Sequence, residues 1–547
     1  MSAPYYELVR QLRQAFPQPT SDRVHDAYFA FSFLRALDEL DALKSERPLL
    51  GEPIELDYDR ARTERVPDAS STLEAVTGRL VDQFRGMFIW GHPRSQINVV
   101  PYPTIAAVIG GLLPAIYNPN LCSEESARRI AEAEVRAVAA TADLIGYDPA
   151  EAGGVFTFGG TGTLLYGVKL GLEKAIPGLG RSGHRERAVL ICSERAHYAC
   201  DTVANWLGLG EDNVIRVPDD ERNEIRPCLA HTMARDALRD GARIAAIVAT
   251  VGTTDAFGLD DVAALDEVRR ELADEFQLDP PPHLHADAVI GWAWSAFEGY
   301  DFEANPLGFR PRTVRALAGI HRRVRELSRA DSVGIDFHKT GFAPYVSSLF
   351  LVRRQDEFRR IARPKSRTPY LFQTGVYHPG QYTLETTRAG NGPLAALANL
   401  WLLGRTGMRA LLGHLVTMAE VLREHLEGHA ATTVLNRANF GPVTLFRVYP
   451  DGVDTFVVPE RERRDPAMRE SLLQHNEYNR RIFELMQQEA LRGEGVVISL
   501  TDCYRRTDYG EPIVALKSFI TSPFADEQYV DAVLESLWRA RARLAAE

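Results

Sequence analysis

Two histidines and an aspartate at alternate positions could support either of two chemistries. His283, His285 and Asp287 stand at i, i+2 and i+4 in HLHADAVIGW, so in a strand they point to one face. Three such side chains could hold a hydrolytic metal ion. Alternatively, the Asp287 carboxylate could face the protonated nitrogen of a pyridine ring. A binuclear H-x-H-x-D-H site requires a further histidine where Ala288 stands, so the sequence favours the second chemistry and we expect no metal.

A lysine beside a predicted strand end supplies a second reactive group. Lys339 follows a short apolar stretch in SVGIDFHKTG and precedes a glycine-containing turn. Burial disfavours the charged form of lysine, and a lowered amine pKa is what Schiff-base chemistry requires. A lysine at a strand end is more often simply solvated, so this assignment depends on the groups that accompany it.

Gly159, Gly160 and Thr161 form a turn ahead of a helical pattern in FTFGGTGTLLYGVKLGL. Such glycines let backbone N–H groups approach an anion at a helix N-terminus, although a glycine pair alone is also an ordinary strand-to-helix turn. Further polar residues follow other predicted strands: His197, which could stack on a flat ring, and Thr250 and Thr253. A phosphate cradle, an imidazole, a carboxylate and a lysine are together the groups that bind pyridoxal 5′-phosphate.

The elements that must position these residues form a repeating pattern between about residues 130 and 350. Segments with helical periodicity separate short apolar runs, namely AVLICS (188–193), NVIRVP (213–218), RIAAIVATVGTT (243–254), HLHADAVI (283–290) and SSLFLV (347–352). This alternation predicts an α/β fold with a mainly parallel sheet covered by helices on both faces. Open sheets of this kind bind ligands at the carboxyl ends of their strands.

The pattern also predicts three parts of the chain. Residues 1–90 have helical spacing, residues 91–390 form a large ligand-binding domain, and residues 391–547 form a small α/β domain. A strand in EPIVALKSFITSP (511–523) and a final amphipathic helix belong to the small domain.

Composition excludes several classes of protein. The 547 residues carry a net charge of −11, which argues against binding to nucleic acid or to an anionic membrane. The basic cluster Arg322, Arg323, Arg325 and Arg329 is interpreted as a solvated helix face. No apolar run approaches the ~20 residues of a membrane helix, and the N-terminus has no signal-peptide core. The five cysteines are scattered, which favours a reducing cytoplasm over disulfides or structural zinc.

The order of these motifs resembles the group II pyridoxal-phosphate-dependent amino-acid decarboxylases. That family has a GGT-type turn, a ring-stacking histidine, H-x-D-A-A and then N/D-P-H-K. Here these are GGT at 159–161, His197, HADA at 285–288 and DFHK at 336–339. The resemblance extends from about residue 88 to LKSFITSP (516–523), and is closest to bacterial tyrosine and archaeal tyrosine/aspartate decarboxylases in GFAPYVSS and YLFQTGVYHPGQYTLETTRAG. Phe337 in place of proline, Val289 in place of alanine and a missing asparagine after the cradle depart from the pattern.

The resemblance implies a fold type I, aminotransferase-like architecture with a seven-stranded sheet, and a homodimer. It implies that Lys339 binds the cofactor covalently, that Asp287 keeps the pyridine nitrogen protonated and that His197 stacks on the ring. The implied phosphate ligands are Gly159, Gly160, Thr161 and His338, with Thr250 and Thr253 as weaker candidates for the phosphate or the ring oxygen.

The resemblance also suggests residues that touch the substrate. A mobile-loop tyrosine would protonate the substrate carbon. Tyr377 is the first candidate, and Tyr382 and Tyr370 are its rivals. Arg388 would anchor either a carboxylate or the loop. His92 and Tyr102 would shape the pocket, and the nearby aromatic residues favour an aromatic, tyrosine-like amino acid.

Other functions remain open at this stage. An aspartate or glutamate decarboxylase would keep the same mechanism. A carbon–carbon lyase of the sphingosine-phosphate-lyase type would keep the cofactor, but it normally has P-K-G after the lysine, where this chain has Pro344-Tyr345-Val346. A pyridoxal-phosphate-sensing regulator would need a basic N-terminal DNA-binding segment, whereas the first 90 residues contain acidic stretches.

Overall fold

The computed structural model describes residues 4–97, 99–368 and 372–547. Its strands are β1 (Ser95–Gln96), β2 (Gly153–Thr157), β3 (Ala188–Ser193), β4 (Val214–Val217), β5 (Arg243–Thr250), β6 (Leu284–Asp287), β7 (Ser332–Asp336), β8 (Ser348–Val352), β9 (Thr432–Val434), β10 (Val443–Val448), β11 (Val497–Arg506) and β12 (Pro512–Phe519).

The helices cover both sheets and form the N-terminal segment. They are α1 (Pro4–Leu12), α2 (Arg23–Asp41), α3 (Tyr58–Ala61), α4 (Leu73–Asp82), α5 (Ile105–Tyr117), α6 (Glu124–Ala127), α7 (Arg129–Ile145), α8 (Gly160–Ala175), α9 (Leu179–Ser182), α10 (Ala199–Trp206), α11 (Pro227–Arg239), α12 (Val262–Phe276), α13 (Pro311–Val324), α14 (Phe337–Thr340), α15 (Asn391–Glu427), α16 (Val458–Arg464), α17 (Arg469–Leu491) and α18 (Glu527–Ala546). Among the described helices, none combines the length and the apolar character of a membrane span.

The large sheet has seven strands in the order β2-β8-β7-β6-β5-β3-β4. The strands from β3 to β7 pair in parallel, whereas β8 is antiparallel to both β2 and β7. The link from β7 to β8 is shorter than the dozen or more residues that a parallel crossover needs, so the chain must reverse there. The predicted seven-stranded, mainly parallel sheet is confirmed.

Strand β6 is shorter than the apolar run HLHADAVI suggested. It ends at Asp287 and the chain then enters a 3₁₀ turn over Gly291–Phe297. The Gly291 N–H donates to Val251 O at 3.0 Å, and a Cβ on Gly291 would collide with that carbonyl. This close approach bends the chain away from the sheet and leaves Asp287 at the strand end.

The small sheet has the order β1-β11-β12-β10-β9. Its edge strand β1 comes from residues 95–96, ahead of the large sheet in sequence, and pairs in parallel with β11. Helix α15 begins at Asn391 and is kinked at Gly404, where φ is +54°. The three predicted domain ranges remain a prediction, and the small sheet draws one strand from outside the last of them.

The basic cluster on α13 differs in part from the prediction of a solvated face. Arg323 is half-buried, contacts Glu224 at 2.6 Å and forms a second ion pair with Asp261. It therefore ties α13 to neighbouring segments. Arg322 and Arg325 are exposed, as a solvated face requires.

Candidate active site

Lys339 lies on the one-turn helix α14, directly after β7. The buried Phe337 ring packs on Trp292 with centroids 4.6 Å apart, and the Thr340 hydroxyl donates to Ile290 O at 2.7 Å. These contacts fix the turn on both sides of the lysine. Burying a phenylalanine stabilises such a turn by about 1.5–3 kcal/mol, so Phe337, a departure from the family pattern, has a clear structural role.

The charge on Lys339 differs from the sequence-based expectation. Its Nζ lies 3.1 Å from Asp336 Oδ2. Burial lowers the pKa of Lys339, but the carboxylates of Asp336 and Asp287 outweigh burial and the net shift of the pKa is upward. The expected lowering is therefore wrong for the free protein, because two buried acids face the amine. Sequence reasoning assigned no role to Asp336, although its position three residues before the lysine was a usable signal.

Asp287 lies at the carboxyl end of β6, between the ends of two parallel neighbours. Its backbone is in register with Thr250 of β5 and Gly334 of β7. Burial raises the pKa of Asp287 to about 6, and the nearby Lys339 ammonium opposes this rise. Asp287 and Lys339 therefore belong to one electrostatic cluster, and a buried carboxylate is well suited to hold a proton on a ring nitrogen.

The glycine turn lies against this cluster. Gly159 has φ +120°, a conformation that strongly favours glycine, and α8 begins at the next residue. A Cβ on Gly160 would lie 2.9 Å from Asp336 Oδ2 and 3.1 Å from Val289 Cγ1. Thr161 is exposed in the first turn of α8. The Gly162 and Thr163 N–H groups donate to Gly159 O at 2.8 and 3.2 Å. The N–H groups of Gly160 and Thr161 have no intrahelical acceptor, so the turn can offer these two donors to an anion beside the lysine.

Two histidines border the lysine in different ways. His197 is half-buried and its Nδ1 accepts from the Ala199 N–H at 3.1 Å. Burial and the Lys339 charge lower the pKa of His197, so a neutral ring lies near the amine. His338 is buried, with Nδ1 3.2 Å from Ser347 N and Nε2 3.4 Å from Asp336 Oδ2. These contacts orient Asp336, while the phosphate role of His338 stays a prediction.

The two threonines after β5 also differ from each other. Thr250 Oγ1 is buried and has no hydrogen-bond partner among the residues that the structure describes. The buried Asp260 accepts from the Thr250 N–H at 2.7 Å, and burial raises the pKa of Asp260 to about 7. Thr253 Oγ1 accepts from the Gly258 N–H at 2.8 Å. Thr250 is therefore the better candidate to bind a cofactor oxygen.

The segment with His92 and Tyr102 packs beside the lysine turn. The Thr104 N–H donates to Phe342 O at 3.1 Å, which joins this segment to the residues after α14. A Cβ on Gly91 would collide with Tyr102, so the two candidate pocket residues belong to one packed unit. His92 is half-buried, and burial together with Arg94 lowers its pKa.

Arg388 and Tyr377 lie in a separate buried cluster. The Arg388 guanidinium pairs with Glu134 and donates to Leu121 O and Phe156 O, each at 2.9 Å. The Tyr377 hydroxyl donates to Glu134 Oε2 at 2.9 Å. These contacts fit loop anchoring rather than substrate binding by Arg388, because both terminal nitrogens are engaged by protein acceptors.

The other loop tyrosines have different surroundings. The Tyr382 ring stacks on Phe358 with centroids 4.4 Å apart. Tyr370 lies outside the described residues. The structure of this chain therefore brings Lys339, Asp287, His197 and the glycine turn together, and holds Tyr377 on Glu134 instead.

His283 and His285, the candidate metal ligands, both contact the same serine. His283 Nε2 and His285 Nδ1 each lie 2.8 Å from Ser332 Oγ. Burial lowers the pKa of His285 to about 3. Across residues 4–97, 99–368 and 372–547, no group of three or more His, Cys, Asp or Glu side chains is arranged to hold a metal ion.

The site fits pyridoxal 5′-phosphate on structural grounds. The glycine turn has open space at Gly159 and packs closely on Asp336 at Gly160, and Asp287 is buried where a protonated nitrogen can meet it. The Thr250 hydroxyl has no hydrogen-bond partner within the described ranges. Lys339 supplies the amine. These groups match the chemical parts of the cofactor one by one.

Comparisons with known proteins agree with this fit. A model of the pyridoxal-dependent decarboxylase conserved domain matches residues 61–448. The chain is 26% identical over 384 residues to the L-2,4-diaminobutyrate decarboxylase of Acinetobacter baumannii, covering 66% of this chain and 68% of that protein. It is 30% identical over 259 residues to the L-tyrosine decarboxylase of Enterococcus faecium, covering 43% of this chain and 40% of that one.

A solved structure shares the whole fold. The crystal structure of Oryza sativa TDC with PLP and tryptamine superposes with a TM-score of 0.76 at 17% identity, covering 96% of this chain and 99% of that one. At this identity the likeness shows the fold alone. Because the domain match spans most of the chain, the protein belongs to the pyridoxal-dependent decarboxylase family, as a carboxy-lyase that uses pyridoxal 5′-phosphate to decarboxylate an amino acid.

Proposed function

We propose that this chain removes the α-carboxylate of an L-amino acid with an aromatic, tyrosine-like side chain, releasing CO₂ and the amine. The observation that carries the reaction is the cluster of Lys339, Asp287 and His197 at neighbouring strand ends, beside the glycine turn. The aromatic preference rests on a separate argument about the surrounding side chains.

The bound cofactor supplies an electron sink for the bond to the departing carboxylate. Lys339 would hold the cofactor through its aldehyde, and Asp336, with Oδ2 3.1 Å from Lys339 Nζ, would accept a proton from the lysine ammonium. Asp287 would hold the proton on the ring nitrogen, where burial keeps water from competing. The backbone N–H groups of Gly160 and Thr161 would bind the phosphate.

Tyr377 remains the proposed proton donor to the substrate carbon. Burial and the Glu134 charge raise the pKa of Tyr377, so its hydroxyl holds a proton firmly. In this chain the Tyr377 hydroxyl donates a hydrogen bond to Glu134. The role therefore requires the loop to leave Glu134, or to serve the site of a second subunit.

A homodimer is supported by an apolar surface on α5. Ile105 is 81% exposed, Tyr117 is 81% exposed and Leu113 is 50% exposed on this helix. A contiguous apolar patch of this kind is typical of a subunit interface. Light scattering of the purified protein should give twice the chain mass, and Leu113→Glu should lower it to one chain.

A cytoplasmic location is also proposed. All five cysteines are free, and three of them, Cys122, Cys192 and Cys200, are buried. Buried unpaired thiols suit a reducing compartment. Fractionation of the native host with a tagged protein would test this.

The aromatic preference rests on charge and on ring contacts. An acidic substrate needs a free guanidinium, but Arg388 is engaged by Glu134, Arg216 donates to Asp201 at 2.7 Å and Arg94 donates to Gly493 O at 2.5 Å. Exposed aromatic rings flank the two histidines instead. Tyr198 contacts His197 at 4.1 Å between centroids and Tyr345 contacts His338 at 4.4 Å.

The test is a screen for CO₂ release from all twenty amino acids and L-2,4-diaminobutyrate, after borohydride has been shown to bleach the cofactor band and label Lys339. Release from tyrosine or another aromatic amino acid supports the proposal. Release from aspartate, glutamate or diaminobutyrate would keep the reaction and overturn the substrate. Cleavage without CO₂ would favour a lyase, and DNA binding without turnover would favour a regulator.

A further inference from the structure

We propose that the small domain contains a second ligand site, for a small carboxylate that also carries an ammonium group, such as an α-amino acid. The site is a cavity of about 210 Å³ between the small sheet and helices α16 and α17, here called the small-domain cavity. It is lined by buried polar side chains, among them Arg447, Tyr449, Glu462, Thr455, Tyr504 and Arg505.

Several hydrogen-bond donors on the wall of this cavity have no acceptor among the described residues. Arg447 is 1% exposed, yet its Nε and Nη2 have no hydrogen-bond partner within the described ranges. The Tyr449 hydroxyl and Arg505 Nε, also buried, are likewise without a partner in that part of the chain. Buried polar groups are nearly always hydrogen-bonded in native proteins, so several free donors on one cavity require an explanation.

Arg447 and Glu462 face each other but form no direct hydrogen bond. Glu462 Oε1 accepts from His475 Nδ1 at 2.5 Å and from Ser471 Oγ at 2.8 Å. Glu462 Oε2 has no hydrogen-bond partner among the described residues and lies 4.0 Å from Arg447 Nη2. A direct charge-assisted hydrogen bond would be about 2.7–2.9 Å long. The two charges are therefore held apart on the wall of the cavity.

The polar groups without partners on the cavity wall indicate the charges of the ligand. Arg447 and Tyr449 offer donors that suit a carboxylate, and Glu462 offers an acceptor that suits an ammonium. Arg505 adds only its Nε, because its Nη2 donates to Asp219 Oδ2 at 2.9 Å. The cavity has the volume of about seven water molecules, which limits the ligand to a small molecule. A phosphate dianion would face the Glu462 carboxylate, so a zwitterion is the better match. The inference does not rest on the proposed substrate, because the cavity is lined mainly by residues between 433 and 513, with Glu221 as a further lining residue.

Titration of the holoenzyme with glycine, followed by calorimetry and visible absorption together, tests the site. Glycine at Lys339 would alter the cofactor band, whereas glycine in the small-domain cavity would release or absorb heat without changing the spectrum. We expect the spectrally silent event to weaken at least tenfold in Tyr449→Phe. The matched control Tyr529→Phe, on α18 outside the cavity lining, should keep it.

Tyr449→Phe keeps the shape of the side chain and removes a hydroxyl that has no hydrogen-bond partner in the part of the chain that the structure describes, so the variant should fold. Acetate and methylammonium, as half-ligands, should each bind at least tenfold more weakly than glycine. No silent event in the wild type, or an equal one in Tyr449→Phe, would overturn the site. Acetate or inorganic phosphate binding as tightly as glycine would overturn the proposed ligand class.

Discussion

Two buried clusters of charged side chains near the seven-stranded sheet differ in how many of their polar atoms have hydrogen-bond partners. Glu134 accepts from the Phe156 N–H, the Tyr377 hydroxyl and both terminal nitrogens of Arg388. At the Lys339 site, Asp287 and Asp336 face one ammonium, and the Thr250 hydroxyl has no partner among the described residues. In the first cluster protein groups bond every carboxylate oxygen of Glu134 and both terminal nitrogens of Arg388, and only Arg388 Nε has no partner among the described residues. The second cluster keeps charges and a donor available.

The difference shows how one fold separates stability from function. Removing one partner of a buried ion pair lowers the free energy of unfolding by several kcal/mol, because the other charge stays buried without compensation. A cluster that keeps free polar atoms is itself costly unless a ligand satisfies it. We therefore expect substitutions in the Glu134 cluster to change folding and substitutions in the Lys339 cluster to change activity.

Lys339→Ala should have the largest effect. The amine that binds the cofactor is lost, so CO₂ release should fall at least about 10⁴-fold. Circular dichroism should show a folded protein. Lys169→Ala is a matched control, because Lys169 pairs with Glu173 on α8 and should keep full activity. Activity within tenfold of wild type in Lys339→Ala would refute the assignment.

Glu134→Gln should be the most destabilising change. It leaves the Arg388 charge buried without its partner and should cost about 3–5 kcal/mol in the free energy of unfolding. Glu132→Gln on the same helix removes an exposed partner of Arg136 and should leave urea unfolding unchanged. Equal midpoints for the two variants would contradict the contrast between a closed cluster and a solvated pair.

Asp287→Asn should lower activity and stabilise the apoprotein. Burial raises the pKa of Asp287 from 3.8 to about 6, so its folded pKa exceeds its unfolded pKa. Its contribution to stability is therefore present below about pH 4 and is lost as pH rises through about 6. We expect the variant apoprotein to gain up to about 3 kcal/mol at about pH 8 and nothing at about pH 4.

Decarboxylation by Asp287→Asn should fall at least about 10²-fold, since the ring nitrogen loses the group that holds its proton. Urea unfolding across pH and CO₂ release measure the two effects. If Asp287→Asn instead loses stability at all pH values, Asp287 stabilises the fold as Glu134 does, and its role as a strained functional carboxylate is contradicted.

Tyr377→Phe should have the smallest effect on stability. It tests whether Tyr377 only anchors the loop at Glu134 or also protonates the substrate. Losing one of several hydrogen bonds to Glu134 should cost about 1 kcal/mol. If Tyr377 also protonates the substrate carbon, kcat should fall about 10²–10⁴-fold with KM little changed. Tyr382→Phe tests the rival. Unchanged kcat in Tyr377→Phe would make Tyr377 an anchoring residue only.

Local patterns were enough to predict much of the site. Asp287, Lys339 and the glycine turn were found from strand ends and spacing, because in a parallel sheet those ends meet at one edge. The net charge on Lys339 could not be predicted, since it depends on Asp336 and Asp287 facing the same amine. The antiparallel direction of β8 could not be predicted either, because an apolar run does not indicate the direction of its strand.

The sequence by itself determined the alternation of strands and helices, the order of the cofactor-binding groups and the family, because these depend on short-range patterns of residue type. The tertiary structure alone decided that Arg388 closes on Glu134, 254 residues away, and that Arg447 and Glu462 stay apart across a cavity. Such contacts are set by how distant elements pack, and packing is a property of the whole chain.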